Sequence, residues 1–357
     1  MPDQLAAHPR SWMIESWAPW QLSCRTSDRL LARNWILLLL STTLSLGMGE
    51  VALRVVRGND PIRPPTYVGQ RANRPSRNFE ADADTGWRMQ RSREFEWSID
   101  GHRNTYRSNR QGFRSNRDFD HPSPLLIGAV GDSFTWGTGV DYKETFGHLI
   151  EQRLDGATLY NFAMPGFGID QMWMSVRHQV LPLRPSLVVV AFVDVDFERS
   201  LMAYREVEGF NKPRFILSSG TLRLQTTADV PGRLRLMLAT HSQLWAATAR
   251  LISRVKESWP LNAAIFEAIA ADCKQQGVPV LFVRLPEKRS TASEPLARLF
   301  RSNGLPFIDI PARQPPPGGI HFKRDGHINA TGHAFVADAI TDWITQSTLI
   351  QTPNRVN

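Results

Sequence analysis

Cysteine is scarce in this 357-residue sequence, which contains only Cys24 and Cys273. Two cysteines exclude a scaffold held by several disulfides and a zinc site built from cysteine thiolates. The H-E-x-x-H pattern of zinc proteases and the G-x-x-x-x-G-K pattern of phosphate-binding loops are also absent. The sequence therefore implies no metal site and no bound cofactor.

Lysine is scarce as well, because arginine supplies most of the 42 basic residues, which face 34 acidic ones for a formal net charge of +8. Arginine favours bidentate contacts with carboxylates and phosphates. The base composition of a coding sequence produces the same bias, and we expect no nucleic-acid partner. A hydrophobic content of 42% is ordinary for a folded protein and excludes wholesale disorder and a polytopic membrane protein.

Long hydrophobic runs are limited to one, residues 35–49, which contain no charged side chain. A membrane-spanning helix needs about 20 mostly apolar residues, and extension of this run to Val56 meets that length. We therefore interpret residues 34–56 as a transmembrane anchor that follows an N-terminal tail, residues 1–33.

The flanks of this run carry the remaining information about the anchor. Glu50 and Arg54 are four positions apart and are expected to pair on one helix face. Three arginines before the run favour a cytoplasmic N-terminus, so residues 57–357 would lie in the periplasm or outside the cell. The alternatives are a cleaved signal peptide, which residues 47–49 match poorly at a cleavage site, and a buried hairpin helix.

The segment that follows, residues 57–124, is rich in arginine and proline. Its apolar residues are too sparse for a core of its own, so we predict an irregular lead-in that packs on the next domain. From Leu125 the pattern changes to strands that alternate with helices. Residues 125–357 form the predicted main domain, with an insertion at about 204–236 that contains a hairpin turning at Ser219-Gly220.

Alternating strands and helices predict a parallel, doubly wound α/β sheet. Two of the strands are continuously apolar, as expected for strands covered on both faces. The predicted strands are 125–130, 158–163, 187–193, 278–283 and 306–310. The predicted helices are 142–154, 169–181, 241–256, 261–276, 291–302 and 331–346.

Three polar loops of this domain contain the candidate functional residues, because ligands bind at the carboxyl ends of parallel strands. The first strand leads into A-V-G-D-S-F-T-W-G, where Ser133 is a candidate nucleophile or an N-cap. The second strand leads into Y-N-F-A-M-P-G-F-G, where Gly166 allows a close backbone approach or simply a tight turn.

The third loop, F-K-R-D-G-H-I-N-A-T-G-H, precedes the last helix. Asp325 and His327 stand close enough there to act as an orienting carboxylate and a general base, which a serine hydroxyl needs to become a nucleophile. His321 and His333 are nearby alternatives to His327.

Together, G-D-S, N-x-A-x-x-G and D-x-H-x-N-x-x-G resemble the motifs of the SGNH, or GDSL, hydrolase family over residues 125–346. The resemblance implies a flavodoxin-like three-layer α/β/α sandwich and a Ser–His–Asp triad that acts on esters. Ser133 would be the nucleophile, His327 the base and Asp325 its orienter. The backbone N–H groups of Ser133 and Gly166 would stabilise the oxyanion.

Two positions depart from the family pattern. Val195 stands where the family has an asparagine that donates to the oxyanion, and valine has no donor. An ionised Asp194 or Asp196 cannot donate either, so Arg199 is the candidate substitute, and Asp196 and Arg199 complete the predicted oxyanion and substrate-binding set. The family also usually has two residues between Asp and His, where this chain has one, a spacing that resembles SGNH-like acetyltransferases.

These observations favour a membrane-anchored serine esterase or deacylase of the bacterial cell envelope. It would act through an acyl-enzyme on ester-linked acyl groups of carbohydrate or lipid. One alternative is an O-acyltransferase that modifies an envelope glycan. The other is a catalytically weak SGNH-like binding protein, which the missing oxyanion donor at Val195 suggests.

Overall fold

The computed structural model describes residues 20–56, 77–120, 123–205, 208–225, 244, 258–288 and 290–348. The chain divides into two compact units, Met1–Pro65 and Thr66–Asn357. The described part of the first unit is one helix, α1 (Trp20–Val56). It begins within the segment that we assigned to the N-terminal tail.

The apolar part of α1, Ala32–Val56, is 25 residues long, and most of its side chains are exposed. At 1.5 Å per residue it extends about 37 Å, which exceeds the roughly 30 Å of a bilayer core. The predicted pair is present, with Arg54 Nε 2.8 Å from Glu50 Oε1. Length and composition are thus those of a helix that can cross a membrane, and a signal sequence meets the same criteria.

The described part of the second unit starts with two antiparallel hairpins, in the segment where we predicted an irregular lead-in. They are β1 (Phe79–Asp82) with β2 (Gly86–Met89), and β3 (Glu94–Ile99) with β4 (His102–Arg107). The strands are short and rich in arginine, so their alternation is weak in the sequence. Trp87, Met89 and Tyr106 are fully buried in the core cluster of the following sheet, as the expected packing requires.

The remaining strands build one central sheet and two small hairpins. The sheet strands are β5 (Leu125–Gly131), β6 (Ala157–Asn161), β7 (Leu187–Phe192), β12 (Val280–Arg284) and β13 (Phe307–Asp309). Between them lie the short strands β8 (Tyr204–Arg205), β9 (Phe210–Asn211), β10 (Arg214–Ser218) and β11 (Thr221–Gln225). The order in the sheet is β13-β12-β7-β5-β6, and every neighbouring pair is parallel.

Helices cover both faces of this sheet. They are α2 (Ser133–Trp136), α3 (Phe146–Arg153), α4 (Ile169–Ser175), α5 (Val195–Arg199), α6 (Ser258–Gln275), α7 (Glu294–Ser302) and α8 (Ala330–Gln346). Alternate residues of β7 belong to two separate apolar clusters. Val189 and Ala191 pack with side chains of α3 and α8, whereas Val188 and Val190 pack with side chains of α4 and α6. The α/β/α sandwich with a parallel sheet is therefore confirmed.

Most local predictions match these bounds. The hairpin of the insertion is β10–β11, and its turn at Ser219-Gly220 places both residues at positive φ, 49° and 75°. The predicted helix at 169–181 is an α-helix only as far as Ser175 and continues as a π-helical turn, Val176–Val180. The helix predicted at 241–256 lies outside the described residues apart from Leu244.

Candidate active site

Ser133 lies at the turn between β5 and α2, at the carboxyl end of the sheet. The N-cap of α2 is Asp132, whose Oδ1 accepts the Phe134 N–H at 2.9 Å, so Ser133 does not have that alternative role. Gly131 permits the sharp turn, because a Cβ there would lie 2.1 Å from Oγ1 of Thr135. The hydroxyl of Ser133 therefore takes no part in the helix cap.

The loop before α8 brings a base to this hydroxyl from 194 residues away. His327 Nε2 lies 2.7 Å from Ser133 Oγ, and His327 Nδ1 lies 2.5 Å from Asp325 Oδ1. A carboxylate only accepts, so Nδ1 carries the hydrogen and Nε2 is left to accept the serine proton. The arrangement has the connectivity of a nucleophile, a base and an orienting acid.

The single residue between Asp325 and His327 does not prevent this contact. Asp325 Oδ1 also accepts the backbone N–H of His327 at 2.8 Å, which folds the side chain back onto the imidazole. Burial raises the pKa of the half-buried Asp325, but hydrogen bonds and attraction from His327 outweigh it and lower the pKa overall. The carboxylate therefore stays ionised at neutral pH and fixes the ring.

The two alternative histidines are bonded elsewhere. His321 Nε2 is 2.9 Å from the carbonyl oxygen of Pro286. His333 is fully buried, and its Nδ1 accepts the N–H of Phe146 at 3.2 Å. Burial lowers the pKa of His333 to about 3, so it stays neutral. Of the histidines in the described ranges, His327 alone bonds to Ser133.

Arg199 lies behind the nucleophile, between two buried carboxylates. Its Nη1 donates to Asp132 Oδ2 at 2.9 Å, to Asp196 Oδ1 at 2.5 Å and to the carbonyl of Phe167 at 3.2 Å. Burial lowers the pKa of Arg199, but the two carboxylates outweigh it and raise the pKa overall. Arg199 therefore remains a cation, and it lines the same cavity as Ser133.

Two predicted site residues, Asp196 and Gly166, are not among the residues that line the cavity containing Ser133. Asp196 is fully buried, and burial and then Asp132 raise its pKa, against the attraction of the Arg199 cation. Its second oxygen accepts the Val193 N–H at 2.9 Å, so it orients Arg199 instead of facing the cavity. Gly166 has φ +83°, and a Cβ there would lie 2.1 Å from a carboxylate oxygen of Glu208.

An open cavity of about 530 Å³ lies over the triad. Phe134 is the one apolar side chain among the described residues that line it. The lining residues are Ser133, Phe134, Asp194, Arg199, Glu287, Lys288, Ser290, Asp325, Gly326 and His327. Within the part of the chain that the structure describes, no group of three His, Cys, Asp or Glu side chains is placed to hold a metal ion.

Sequence reasoning missed the role of Arg114, which lies in the S-N-R-Q-G-F-R stretch of the lead-in. Its guanidinium is 1% exposed and donates to the carbonyls of Trp136, Gly137 and Val140 at the end of α2. It also lies 4.4 Å from the ring centroid of Tyr106. A cation at a helix C-terminus stabilises the helix dipole, so Arg114 fixes the element that carries the nucleophile.

No family model and no curated protein matches this chain. Among similar solved structures is a member of the lipolytic G-D-S-L family from Veillonella parvula, with 13% identity, TM-score 0.39, and coverage of 62% of this chain and 100% of that one. A GDSL-like lipase from Bacteroides thetaiotaomicron has 12% identity, TM-score 0.38, and coverage of 63% and 92%. A catalytic mutant of Axe2, an acetylxylan esterase from Geobacillus stearothermophilus, has 11% identity, TM-score 0.39, and coverage of 66% and 100%.

The sandwich and the Ser133–His327–Asp325 arrangement agree with the motif resemblance to the SGNH/GDSL hydrolases.

Proposed function

We propose that this protein is an SGNH-type serine hydrolase of carboxylic esters. The observation that carries the proposal is the continuous contact from Ser133 Oγ to His327 Nε2 and from His327 Nδ1 to Asp325, at 2.7 and 2.5 Å. A serine hydroxyl is a poor nucleophile unless a base removes its proton as it attacks. Ser133 has such a base, and the base has an orienting carboxylate.

The reaction follows from these contacts. His327 takes the hydroxyl proton as Ser133 Oγ attacks the ester carbonyl, and the resulting imidazolium is stabilised by Asp325. When the tetrahedral intermediate collapses, His327 returns the proton to the leaving alcohol and an acyl-serine remains. Water then attacks the acyl-enzyme, with His327 again as the base, and the carboxylic acid leaves.

We assign the oxyanion to the backbone N–H of Ser133 and to Arg199, and keep the Gly166 N–H as the third donor that the family resemblance implies. Valine at position 195 has no donor, whereas Arg199 is positively charged and lines the same cavity as Ser133. Its Nη1 is bonded to three acceptors, so Nε and Nη2 are the nitrogens available to an oxyanion. Asp196 acts through Arg199 by holding its guanidinium.

The charged and polar side chains among the described residues that line the cavity support a short acyl group and a hydroxyl-rich alcohol, as in an acylated carbohydrate. A long acyl chain needs an apolar surface, and among the described residues Phe134 is the one apolar side chain that lines this cavity. Helix α1 supports a membrane anchor, with the hydrolase on the outer side of the cytoplasmic membrane.

Hydrolysis of p-nitrophenyl acetate by the Ser133→Ala variant tests this function. We expect kcat/KM to fall by at least about 10³-fold, because loss of a triad nucleophile removes the acyl-enzyme route. Ser302→Ala, which alters an exposed serine outside the cavity, is the matched control and retains the activity. Turnover by Ser133→Ala equal to the wild-type rate would exclude the proposed mechanism.

A glycan acceptor added to the same assay separates hydrolysis from the O-acyltransferase alternative. For a hydrolase, we expect release of free acetate that is independent of the acceptor. Acceptor-dependent formation of an acetylated glycan, with a matching loss of free acetate, would favour the transferase.

A further inference from the structure

The cavity over Ser133 is rich in acid, although the whole chain carries a formal net charge of +8. Among the described residues, five carboxylates and three cations line this cavity or bond directly to a charged side chain that lines it. The carboxylates are Asp132, Asp194, Asp196, Glu287 and Asp325, and the cations are Arg199, Arg284 and Lys288.

Most of these carboxylates are already compensated. Arg284 forms two hydrogen bonds with Asp194, at 2.7 and 2.6 Å. Asp325 bonds to His327, and Arg199 is shared between the two acids behind the serine. Their charges are therefore partly neutralised before a substrate enters.

Glu287 is the exception among the described residues. It forms no ion pair with any of them, and its Oε2 accepts the backbone N–H of Asp194 at 3.1 Å. The neighbouring cation Lys288 directs its Nζ away, to the carbonyl of Lys323 at 2.6 Å. Burial and then the nearby Asp194 raise the pKa of Glu287, whereas the Asp194 N–H and the more distant charge of Arg199 act in the opposite direction.

We propose that Glu287 is a specificity-determining residue that disfavours esters of anionic alcohols and selects esters of neutral, hydroxyl-bearing ones. The inference rests on the proposed ester hydrolysis and adds the charge of the substrate to it. A negative charge on the alcohol that enters this cavity is repelled by the Glu287 carboxylate, whereas a sugar hydroxyl donates a hydrogen bond to it. Acylated neutral glycans are therefore favoured over acylated uronic acids and anionic lipids.

The experiment compares two acetate esters, methyl 4-acetoxybenzoate and 4-acetoxybenzoate, which differ in the charge of the alcohol. For each enzyme, the ratio of the two kcat/KM values is divided by the ratio for uncatalysed hydrolysis, so that the intrinsic reactivity of the esters cancels. We expect the wild type to prefer the neutral ester and Glu287→Gln to reduce that preference roughly 3- to 10-fold at low ionic strength. The amide oxygen of Gln still accepts the Asp194 N–H.

Two further variants complete the test. Glu287→Asp retains the charge and should retain the preference, and Glu294→Gln removes an exposed carboxylate of α7 and should leave the ratio unchanged. An identical ratio in wild type and Glu287→Gln, with both active, would overturn the role of Glu287 alone. No hydrolysis of either ester above the Ser133→Ala level would overturn the proposed function, and the specificity with it.

Discussion

At the scale of single residues, a charged cluster behind Ser133 joins Arg199 to two buried aspartates. Asp132 caps α2 through Oδ1 and accepts Arg199 through Oδ2. Asp196 approaches the same guanidinium from the start of α5. One cation thus separates two fully buried carboxylates, and its removal leaves them without compensation.

Arg199→Met is therefore expected to lower kcat by about 10²–10³-fold, the usual effect of losing one oxyanion donor. KM for a small ester should change little, because the interaction is made with the developing oxyanion and not with the ground state. Arg199→Lys keeps the charge and should recover part of the rate. Steady-state kinetics on p-nitrophenyl acetate measure both parameters.

Circular dichroism of each Arg199 variant shows whether the rate loss reflects unfolding. Wild-type kcat in a folded Arg199→Met variant would mean that another group stabilises the oxyanion.

At this scale, the sequence was most informative where the candidate residues stand in short motifs. Ser133, Asp325 and His327 stand in such motifs, and the missing donor at Val195 was visible in the same way. Glu287 and Arg114 carry no local signature, because folding alone brings them to the cavity and to the end of α2. Arg114 in particular looks like any other residue of an arginine-rich segment until its burial is known.

At the scale of secondary-structure elements, the β3–β4 hairpin supports the loop that carries the base. Its tip is Asp100-Gly101, and both residues have positive φ, 50° and 84°. Asp100 Oδ2 accepts the backbone N–H of Arg324 at 2.7 Å, one residue before Asp325. The lead-in segment thus contributes a positioning contact to the proposed catalytic loop.

Asp100→Gly removes this acceptor but tolerates the positive φ, so it tests the contact without straining the turn. We expect kcat to fall about 5-fold with KM nearly unchanged, consistent with loss of about 1 kcal/mol from one hydrogen bond. Asp100→Asn keeps an acceptor oxygen and should remain close to wild type. Equal kcat values for both variants and the wild type would show that the loop needs no such support.

The elements themselves were predictable to different degrees. Continuous apolar runs such as β7 and β12 stand out in the sequence, since both faces of these strands are buried. The hairpins β1–β2 and β3–β4 do not, because their strands are only four to six residues long and mix arginine with aromatic residues. Helix α5 is only five residues long, too short for a helical period to appear in the sequence.

At the scale of the whole molecule, the chain combines a helix long and apolar enough to cross a membrane with an α/β/α unit. The formal net charge of the whole chain is +8. The acid-rich cavity shows that the charge of the whole chain does not describe the site. Net charge bears on solubility and nonspecific association, whereas substrate selection depends on the side chains that line the cavity.

If α1 is a membrane anchor, the full-length protein should sediment with membranes and resist extraction by alkaline carbonate. Deletion of residues 1–56 should release the remaining chain into the soluble fraction. The mass of the intact purified protein distinguishes an anchor from a cleaved signal sequence, because an anchor retains the apolar segment. A soluble full-length chain would contradict the anchor.

The account depends above all on an activated serine at position 133. The most direct measurement is reaction of the full-length protein with a fluorophosphonate, followed by mass spectrometry of the intact protein and of the peptide that contains Ser133. We predict a single adduct, located on Ser133, that forms much more slowly in a folded His327→Asn variant. Absence of an adduct on the folded wild-type protein, or an adduct on another residue, would contradict the account.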